Sequence, residues 1–466
     1  MSERPPGPPP FEPGELPEKP HSFFQLVGPG AVMVGLAVGA GELIVWPIMT
    51  ARYGASIAWA AMLGIALQLV INIEVGRYTL ATGESVYSAF ARLSRGWVPV
   101  FLVLNVAGWI LPGWARTCAG AVKAIVVGVD GPGEPWLWTA LTFALVAIVL
   151  FGPRHAYRTI ERTTITLVAA MLVGLVVIAL RVGSTDAVGE LVHGITRFGY
   201  KPADLPTYEL FSAIVFAGAG GTANLVFSYY LLDKGWGMGA SVTDEQVGSR
   251  AFRLTDGAVN EGRWRAWFEH VRNDQVVFFW LMNSLTILLF IFSALVVLHA
   301  EGIVPGRDML IVQEAAMLER VWGKPGAYLF MAVGIACLFS TQLTLLDCVA
   351  RSCVDLLRTN YRRARRYSFG GLYRAVALAW IIAGVALTWA WGRLPPFMFL
   401  LSAGFFGGIA MAVYCPLLLR ANTSLLPASC RPGLPGRASL AAISVFYIAF
   451  ALCSIWFAAA RLLLGS

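Results

Sequence analysis

The sequence contains few charged residues. Of its 466 residues, 13% are Asp, Glu, Lys or Arg and 57% are hydrophobic, whereas soluble domains carry roughly 25% charged residues. Such a composition excludes a water-soluble enzyme. The 16 tryptophans fit a bilayer, because aromatic rings collect at its two interfaces. We therefore expect an all-α polytopic membrane protein.

Histidine and cysteine are also scarce, with five and seven residues. None of the histidines lies in the middle of an apolar run, and the cysteines lack the spacing of a metal site or a disulfide framework. We find no phosphate-binding loop and no nucleophile–base arrangement either. The sequence therefore predicts neither an enzyme nor a bound cofactor, apart from a divalent cation as a possible substrate.

Apolar runs of about 20 residues predict the membrane topology. Eleven candidates lie near 26–51, 55–78, 97–127, 136–152, 162–181, 208–231, 275–299, 326–354, 373–391, 396–419 and 439–460. If the amino terminus is inside, 23 of the 35 Lys and Arg residues fall in inner segments and nine in outer ones. This bias predicts a cell-membrane protein with a cytoplasmic amino terminus and an external carboxyl terminus. The net charge of +8 then needs no nucleic-acid partner.

Two of the apolar runs are interrupted near their centres. The first contains Gly39-Ala40-Gly41-Glu42, and the sixth contains Gly218, Gly220 and Gly221 just before Asn224. The two centres align, Gly39 with Gly221 and Glu42 with Asn224. Because the sixth span follows the first by five spans, an odd number, the two halves have opposite orientations in the bilayer. This pattern indicates an inverted-repeat transporter with a substrate site at the midplane.

The predicted domain organisation follows from this repeat. Residues 1–21, which are rich in proline, form a disordered cytoplasmic tail; residues 22–205 and 206–422 form two five-helix repeats; and residues 423–466 form an additional helix. The predicted substrate site consists of Gly39, Ala40, Gly41, Glu42, Gly220, Gly221, Ala223 and Asn224. The alternative is that the glycines only permit close helix packing.

The chain resembles the Nramp (natural resistance-associated macrophage protein) family of divalent-metal transporters at these residues. Gly28-Pro29-Gly30 is followed by eight residues and then Gly39-Ala40-Gly41-Glu42, as in the family's first helix. Further matches are Tyr53-Gly54, Trp59, Leu67-Gln68, Thr82-Gly83, Ser340-Thr341 and Pro416-Leu417-Leu418. The resemblance implies the LeuT-type fold of two inverted five-helix repeats plus one helix. It also implies proton-coupled uptake of a divalent metal cation by alternating access.

The metal ligands that the resemblance implies are reduced in this chain. Where the family has DPGN in the first helix, this chain has Gly39 and Glu42; where the family has MPHN in the sixth, it has Gly221 and Ala223 and keeps Asn224. Glu42 and Asn224 are the metal ligands that remain. One carboxylate with backbone carbonyls suits a hard or hydrated cation better than Mn²⁺ or Fe²⁺.

Three polar residues at membrane depth are candidates for coupling or charge compensation. Glu42 is predicted to bind a cation or carry the coupling proton, or else to pin the helix break by a hydrogen bond. Arg116 cannot relay protons; it either neutralises Glu42, replaces a coupling cation, attracts an anionic substrate group, or forms a lateral pair. Asn105 lies in the third span, where the family has acidic residues on its proton route.

Three functions remain open. The first is a secondary transporter of a divalent cation, the class that the resemblance implies. The second is a transporter of a small organic solute such as an amino acid, favoured by the reduced ligand set, the glycine breaks and Arg116. The third is a membrane sensor or scaffold that transports nothing. In each case the lipid bilayer is a partner.

Overall fold

The computed structural model describes residues 7–19, 29–30, 33, 38–152, 154–242, 248–306 and 309–464. Most of them are helical. The first half contains α1 (Trp46–Tyr53), α2 (Ala58–Thr82), α3 (Val86–Leu93), α4 (Trp97–Trp109), α5 (Gly113–Val126), α6 (Pro135–Phe151), α7 (Arg154–Arg181) and α8 (Thr185–Thr196). A π-helical segment, Val38–Val45, leads into α1.

The second half is longer and contains more irregular turns. Its helices are α9 (Thr207–Val215), α10 (Ala223–Asp233), α11 (Ala258–Asp274), α12 (Asn283–Ser293), α13 (Leu310–Glu314), α14 (Ala316–Trp322), α15 (Lys324–Asn360), α16 (Arg362–Arg365), α17 (Phe369–Ala390), α18 (Pro396–Ser424) and α19 (Leu434–Leu464). Two π-helical segments, Gln275–Met282 and Ala294–His299, flank α12.

Long apolar helices confirm the expectation of a multi-pass membrane protein. Seven helical segments of the described chain are long and apolar enough to cross a bilayer, or eight if the bent pair of α7 and α8 is counted as one span. Their outer faces carry exposed apolar side chains, such as Leu180 (79% exposed) and Trp456 (72% exposed). These faces suit contact with lipid. The count of eleven spans and the repeat boundaries stay predictions.

The amino-terminal tail is ordered over residues 7–19, contrary to the prediction of disorder. We call this segment the N-terminal strap. Its strand β1 (Glu12–Gly14) pairs in parallel with β2 (Phe252–Leu254). Because prolines have no N–H group to satisfy, a proline-rich segment can be held by few hydrogen bonds. Residues 1–6 and 20–21 of the predicted tail lie outside the described residues.

Buried polar contacts fasten α2 to the end of α18. Arg77 donates two hydrogen bonds to the Glu74 carboxylate, at 2.9 and 3.1 Å, and one to the backbone oxygen of Cys430. The Asn422 amide donates to the same carboxylate at 2.8 Å. A buried ion pair needs such additional hydrogen bonds to offset its lost hydration. The two halves of the chain are thus joined through α2.

Candidate substrate site

At the first predicted break the described chain forms a π-helical segment, Val38–Val45, that continues directly into α1, so the helix is distorted there and not interrupted. We call this distorted segment the first break. Gly39 packs so closely against α15 that an added Cβ would overlap the Thr341 hydroxyl. Gly41 packs against the backbone oxygen of Phe216, which an added Cβ would also overlap. Both glycines therefore permit close packing, which is the alternative role that the sequence left open. Ala40 lies between them, with its side chain outside the described part.

The second break separates α9 from α10. Gly220 and Gly221 have φ angles of +67° and +50°, a left-handed conformation that glycine adopts without steric cost. Ala223 and Asn224 then begin α10 and are buried. The break predicted in the sixth span is therefore present, at the predicted residues.

Side chains from distant helices satisfy the backbone groups that this break leaves unpaired. Gln68 of α2 donates to the backbone oxygen of Val215 (3.0 Å) and accepts from the backbone N–H of Gly220 (2.8 Å). Asn283 of α12 donates to the backbone oxygen of Ala217 at 3.1 Å.

Tyr414 of α18 completes this set of caps by donating to the backbone oxygen of Gly221 at 3.0 Å. Unpaired backbone groups are costly at membrane depth, and these three side chains remove much of that cost. The carbonyl groups of Val215, Ala217 and Gly221 already accept hydrogen bonds from the protein, so they are poorer ligands for a cation than the sequence suggests.

Glu42 is fully buried at the first break. Its carboxylate lies near the Thr286 hydroxyl, which can donate either to it or to the backbone oxygen of Asn283. Its neighbours include Thr286 of α12 and Cys337 of α15, and the Thr286 hydroxyl donates to the backbone oxygen of Asn283 at 3.1 Å. The carboxylate therefore lies in a poorly polar environment, where its ionised form is costly.

A narrow cavity lies between the two breaks, with room for about one water molecule. Its walls are mostly aromatic or small and apolar. They are Gly41, Trp109, Trp114, Phe216, Gly218, Ala219, Ala223, Thr341 and Leu345. Two of the predicted site residues, Gly41 and Ala223, line it directly.

The two tryptophans of this cavity come from a third interruption, which sequence reasoning missed as a site. Helix α4 ends at Trp109, and α5 begins at Gly113 after Pro112. The Trp109 and Trp114 rings lie 5.5 Å apart between centroids, and Trp114 is 6.1 Å from Phe216. The Pro112-Gly113 pair in the middle of an apolar run was the available signal.

The indole N–H groups of the two tryptophans differ in their hydrogen bonding. Trp109 donates to the Thr222 hydroxyl at 2.7 Å. The Trp114 N–H is buried and makes no hydrogen bond within the described residues. A buried indole usually has a partner, so Trp114 offers an unused donor in the cavity wall.

The other predicted residues occupy separate places. Arg116 donates to the backbone oxygens of Gly392 and Leu394, at 2.6 Å each, and so ties α5 to the segment before α18. Asn224 donates to the Tyr414 hydroxyl at 3.3 Å, and its carbonyl oxygen has no partner in the described chain. Asn105 accepts from the Tyr87 hydroxyl at 2.9 Å.

A second polar group closes the end of the bundle where the strap lies, which we call the strap side. Asp355 of α15 accepts hydrogen bonds from the hydroxyls of Ser85 (2.9 Å), Tyr229 (2.7 Å) and Thr359 (3.1 Å). We call these residues, together with the ion pair of Glu84 and Arg92, the strap-side cluster.

The ion pair of the strap-side cluster is largely buried, with a separation of 2.8 Å. Burial raises the pKa of Glu84, while the hydrogen bonds from Arg92 oppose this shift. The sequence gives little sign of the cluster, because its members come from three separate parts of the chain.

Comparisons with known proteins agree on the fold. No family model matches the chain. An uncharacterized protein of Pasteurella multocida (strain Pm70) is 25% identical over 350 residues, which cover 72% of each chain. A variant of the manganese transporter of Eremococcus coleocola matches with a TM-score of 0.65 at 14% identity, covering 97% of this chain and 90% of that one.

Two further solved structures share the fold. Mhp1, a nucleobase-cation-symport-1 family transporter with bromovinylhydantoin bound, has a TM-score of 0.54 at 15% identity and covers 92% of this chain and 91% of its own. MhsT in complex with L-phenylalanine has a TM-score of 0.57 at 15% identity and covers 94% and 99%.

The fold is that of the LeuT-type secondary transporters. The similar structures are membrane transporters and not enzymes. Two broken helices meeting at a central cavity are the feature that this fold uses to place a substrate between its repeats. The comparisons thus show the fold of this chain, a multi-pass membrane protein.

Proposed function

We propose that the protein is a secondary-active transporter that moves a small organic solute by alternating access. The observation that carries this proposal is the composition of the cavity walls between the two helix breaks. Trp109, Trp114 and Phe216 supply ring faces for stacking, and the unused N–H of Trp114 supplies a hydrogen-bond donor. Apolar walls with a few placed polar groups are typical of organic ligand sites.

The donors of the site fit a metal ion less well. Within the described residues, no three His, Cys, Asp or Glu side chains come together in a group that would hold a metal. Glu42 borders the first break but does not line the cavity, and three carbonyls of the second break already accept hydrogen bonds. Among proteins of this fold, Mhp1 and MhsT have organic ligands bound.

The proposed coupling group is Glu42, and the proposed coupling ion is a proton. A fully buried carboxylate with a single hydroxyl, that of Thr286, as a nearby donor among the described residues is stabilised by protonation. If the transporter then opens to the other side of the membrane and water reaches Glu42, the proton is released on that side. Uptake of the solute would then follow the proton gradient.

Ligand-induced thermal stabilisation of the purified protein tests the substrate class. A ligand that binds only the native state raises its melting temperature. The panel consists of L-phenylalanine, L-leucine, uracil, MnCl₂ and MgCl₂. We expect stabilisation by an organic solute. Stabilisation by a divalent cation alone would contradict the proposal.

Substitutions at Trp114 test the proposed wall. Trp114→Ala removes ring and donor, and we expect it to weaken solute binding by about tenfold or more. Trp114→Phe keeps a ring but loses the N–H, and we expect a loss of several-fold. Trp456→Ala, at a side chain 72% exposed on the outer face, is the matched control. Unchanged affinity in Trp114→Ala would remove Trp114 from the site.

A second candidate function is divalent-cation transport. It is favoured by the buried oxygen atoms of the Glu42 and Asn224 side chains and by the similarity to a manganese transporter. In that case MnCl₂ or MgCl₂ raises the melting temperature, and the increase disappears in the double variant Glu42→Gln, Asn224→Ala.

A further inference from the structure

The N-terminal strap touches both halves of the chain. In the first half, Arg92 lies over the Phe11 ring at 3.9 Å and donates to the backbone oxygen of Pro9. In the second half, the Gly7 N–H donates to the backbone oxygen of Thr359 at 3.0 Å. The strap thus bridges the segment after α2 and the end of α15.

The carboxyl-terminal part of the strap is fastened more firmly. The Leu16 side chain is fully buried. Its backbone N–H donates to the Asn260 carbonyl at 3.0 Å, and its oxygen accepts from Arg263 at 2.9 Å. The Trp267 indole donates to the backbone oxygen of Pro17 at 2.9 Å. All three partners belong to α11.

The middle of the strap adds the pairing of β1 with β2. The Glu12 N–H donates to the backbone oxygen of Ala251 at 2.8 Å, and the Thr255 N–H donates to that of Gly14 at 3.1 Å. The ion pair of Glu12 and Arg250, at 2.7 Å, is more than a third exposed on both sides, so it contributes little. Backbone hydrogen bonds and the burial of Leu16 hold this segment.

Two strap contacts fall on residues that also belong to the strap-side cluster. Arg92 is the partner of Glu84, and the Thr359 hydroxyl donates to Asp355. The strap therefore covers the cluster from outside while the cluster closes the bundle from within. A rearrangement that separates α3 from the end of α15 must first break the contacts of Pro9, Phe11 and Gly7.

We propose that the N-terminal strap is a releasable latch that keeps the strap side of the transporter closed. The strap is anchored on α11 through Leu16, and its first residues cross to Arg92 and Thr359. Opening of the strap side requires the crossing part to detach. This latch rests on the alternating access of the proposed function, but it does not depend on the identity of the substrate.

A buried native cysteine reports opening without any substrate. Cys353 of α15 is 3% exposed and neighbours Tyr87, whose ring stacks on Tyr229 of the strap-side cluster. Trypsin cleavage after Arg351 places Cys353 in its own peptide, 352–358. Its alkylation by N-ethylmaleimide is therefore measurable by mass spectrometry in the full-length protein in liposomes.

The test compares Leu16→Asp with Pro13→Asp. Leu16→Asp places a charge in a fully buried position and releases the strap, whereas Pro13→Asp adds the same charge to the strap at an exposed position. We expect Leu16→Asp to speed Cys353 alkylation by about tenfold or more. Burial of a leucine side chain shifts the equilibrium constant between the attached and the detached strap by about tenfold or more. Pro13→Asp should match the wild type.

Cys118 is the internal control, because it is buried in α5 and hydrogen-bonded to the backbone of Ile335. Its alkylation should stay unchanged; a parallel rise there means general loosening and overturns a local latch. A variant lacking residues 1–19 removes the strap outright. If Cys353 reacts at the wild-type rate in that variant, the latch is refuted, whatever the transport assays show.

Discussion

Glu42 is the ionisable residue of the π-helical segment at the first helix break. Its carboxylate is fully buried, and the Thr286 hydroxyl lies near it as a hydrogen-bond donor. A carboxylate held for structure alone would normally have several donors or a cationic partner, since an unpaired buried charge is strongly destabilising. The proton is therefore the simplest partner for this group, and its exchange between two sides of the membrane is the simplest use of its position.

At the residue scale we predict that Glu42→Gln abolishes proton-driven uptake in liposomes while the variant folds normally. Glutamine keeps the shape of the protonated side chain but has no proton to release. Counterflow exchange of solute should survive, because it needs no net proton movement. Glu15→Gln, at an exposed strap residue, is the control. Gradient-driven uptake at the wild-type rate in Glu42→Gln would exclude Glu42 from coupling.

At the scale of the helical elements, the two breaks are held by close contact and by caps. The first break touches α15 and the backbone near Phe216 through glycines, and the second is capped by Gln68, Asn283 and Tyr414. Broken helices at membrane depth therefore keep their backbone groups satisfied in the closed conformation.

The close approach of the two breaks predicts a cost for a single methyl group. Gly41→Ala would push against the backbone oxygen of Phe216, and we expect it to destabilise the protein by about 1–3 kcal/mol. Gly108→Ala is the matched control, because an added Cβ there meets nothing within 4 Å. Thermal unfolding should show a lower midpoint for Gly41→Ala only. Equal midpoints would mean that the breaks separate easily.

The hydrogen bonds that Gln68 makes at the second break predict a graded loss of thermal stability. Gln68→Leu leaves the Gly220 N–H and the Val215 oxygen without their partners, at a cost of about 1–3 kcal/mol each. Gln68→Glu retains an acceptor for Gly220 and should recover part of the loss. Melting temperatures of the three proteins check the order, which should be wild type, then Gln68→Glu, then Gln68→Leu. If Gln68→Leu melts with the wild type, Gln68 is not a structural cap.

At the scale of the whole molecule, the sequence predicts the fold class better than the site. The low charge and the apolar runs predict a helical membrane protein because lipid permits few backbone structures. The glycines predict the interruption of the sixth span and the distortion of the first because their effect is local. The caps could not be foreseen, since Gln68 lies 147 residues from Val215 and Tyr414 lies 193 residues from Gly221. Gln68 alone reads equally well as a packing residue.

The prediction of a disordered tail was wrong over residues 7–19 for a related reason. Its proline content indicates disorder, and the local sequence contains nothing to oppose that interpretation. The partners that order it, Asn260, Arg263 and Trp267, lie more than 240 residues away. The role of Trp109 and Trp114 likewise follows only from the fold. They lie on either side of Pro112, and both line the cavity.

The central cavity is bounded by small residues and by three aromatic rings, and this limits how its specificity can change. A substitution at Gly41 disturbs helix contact before it alters recognition, whereas Trp109 at the end of α4 and Trp114 in the first turn of α5 present their rings to the cavity. Relatives that accept other substrates should therefore differ at these two positions of the third span first. Substrate specificity would then change through substitution of these two aromatic residues, while the positions of the broken helices stay the same.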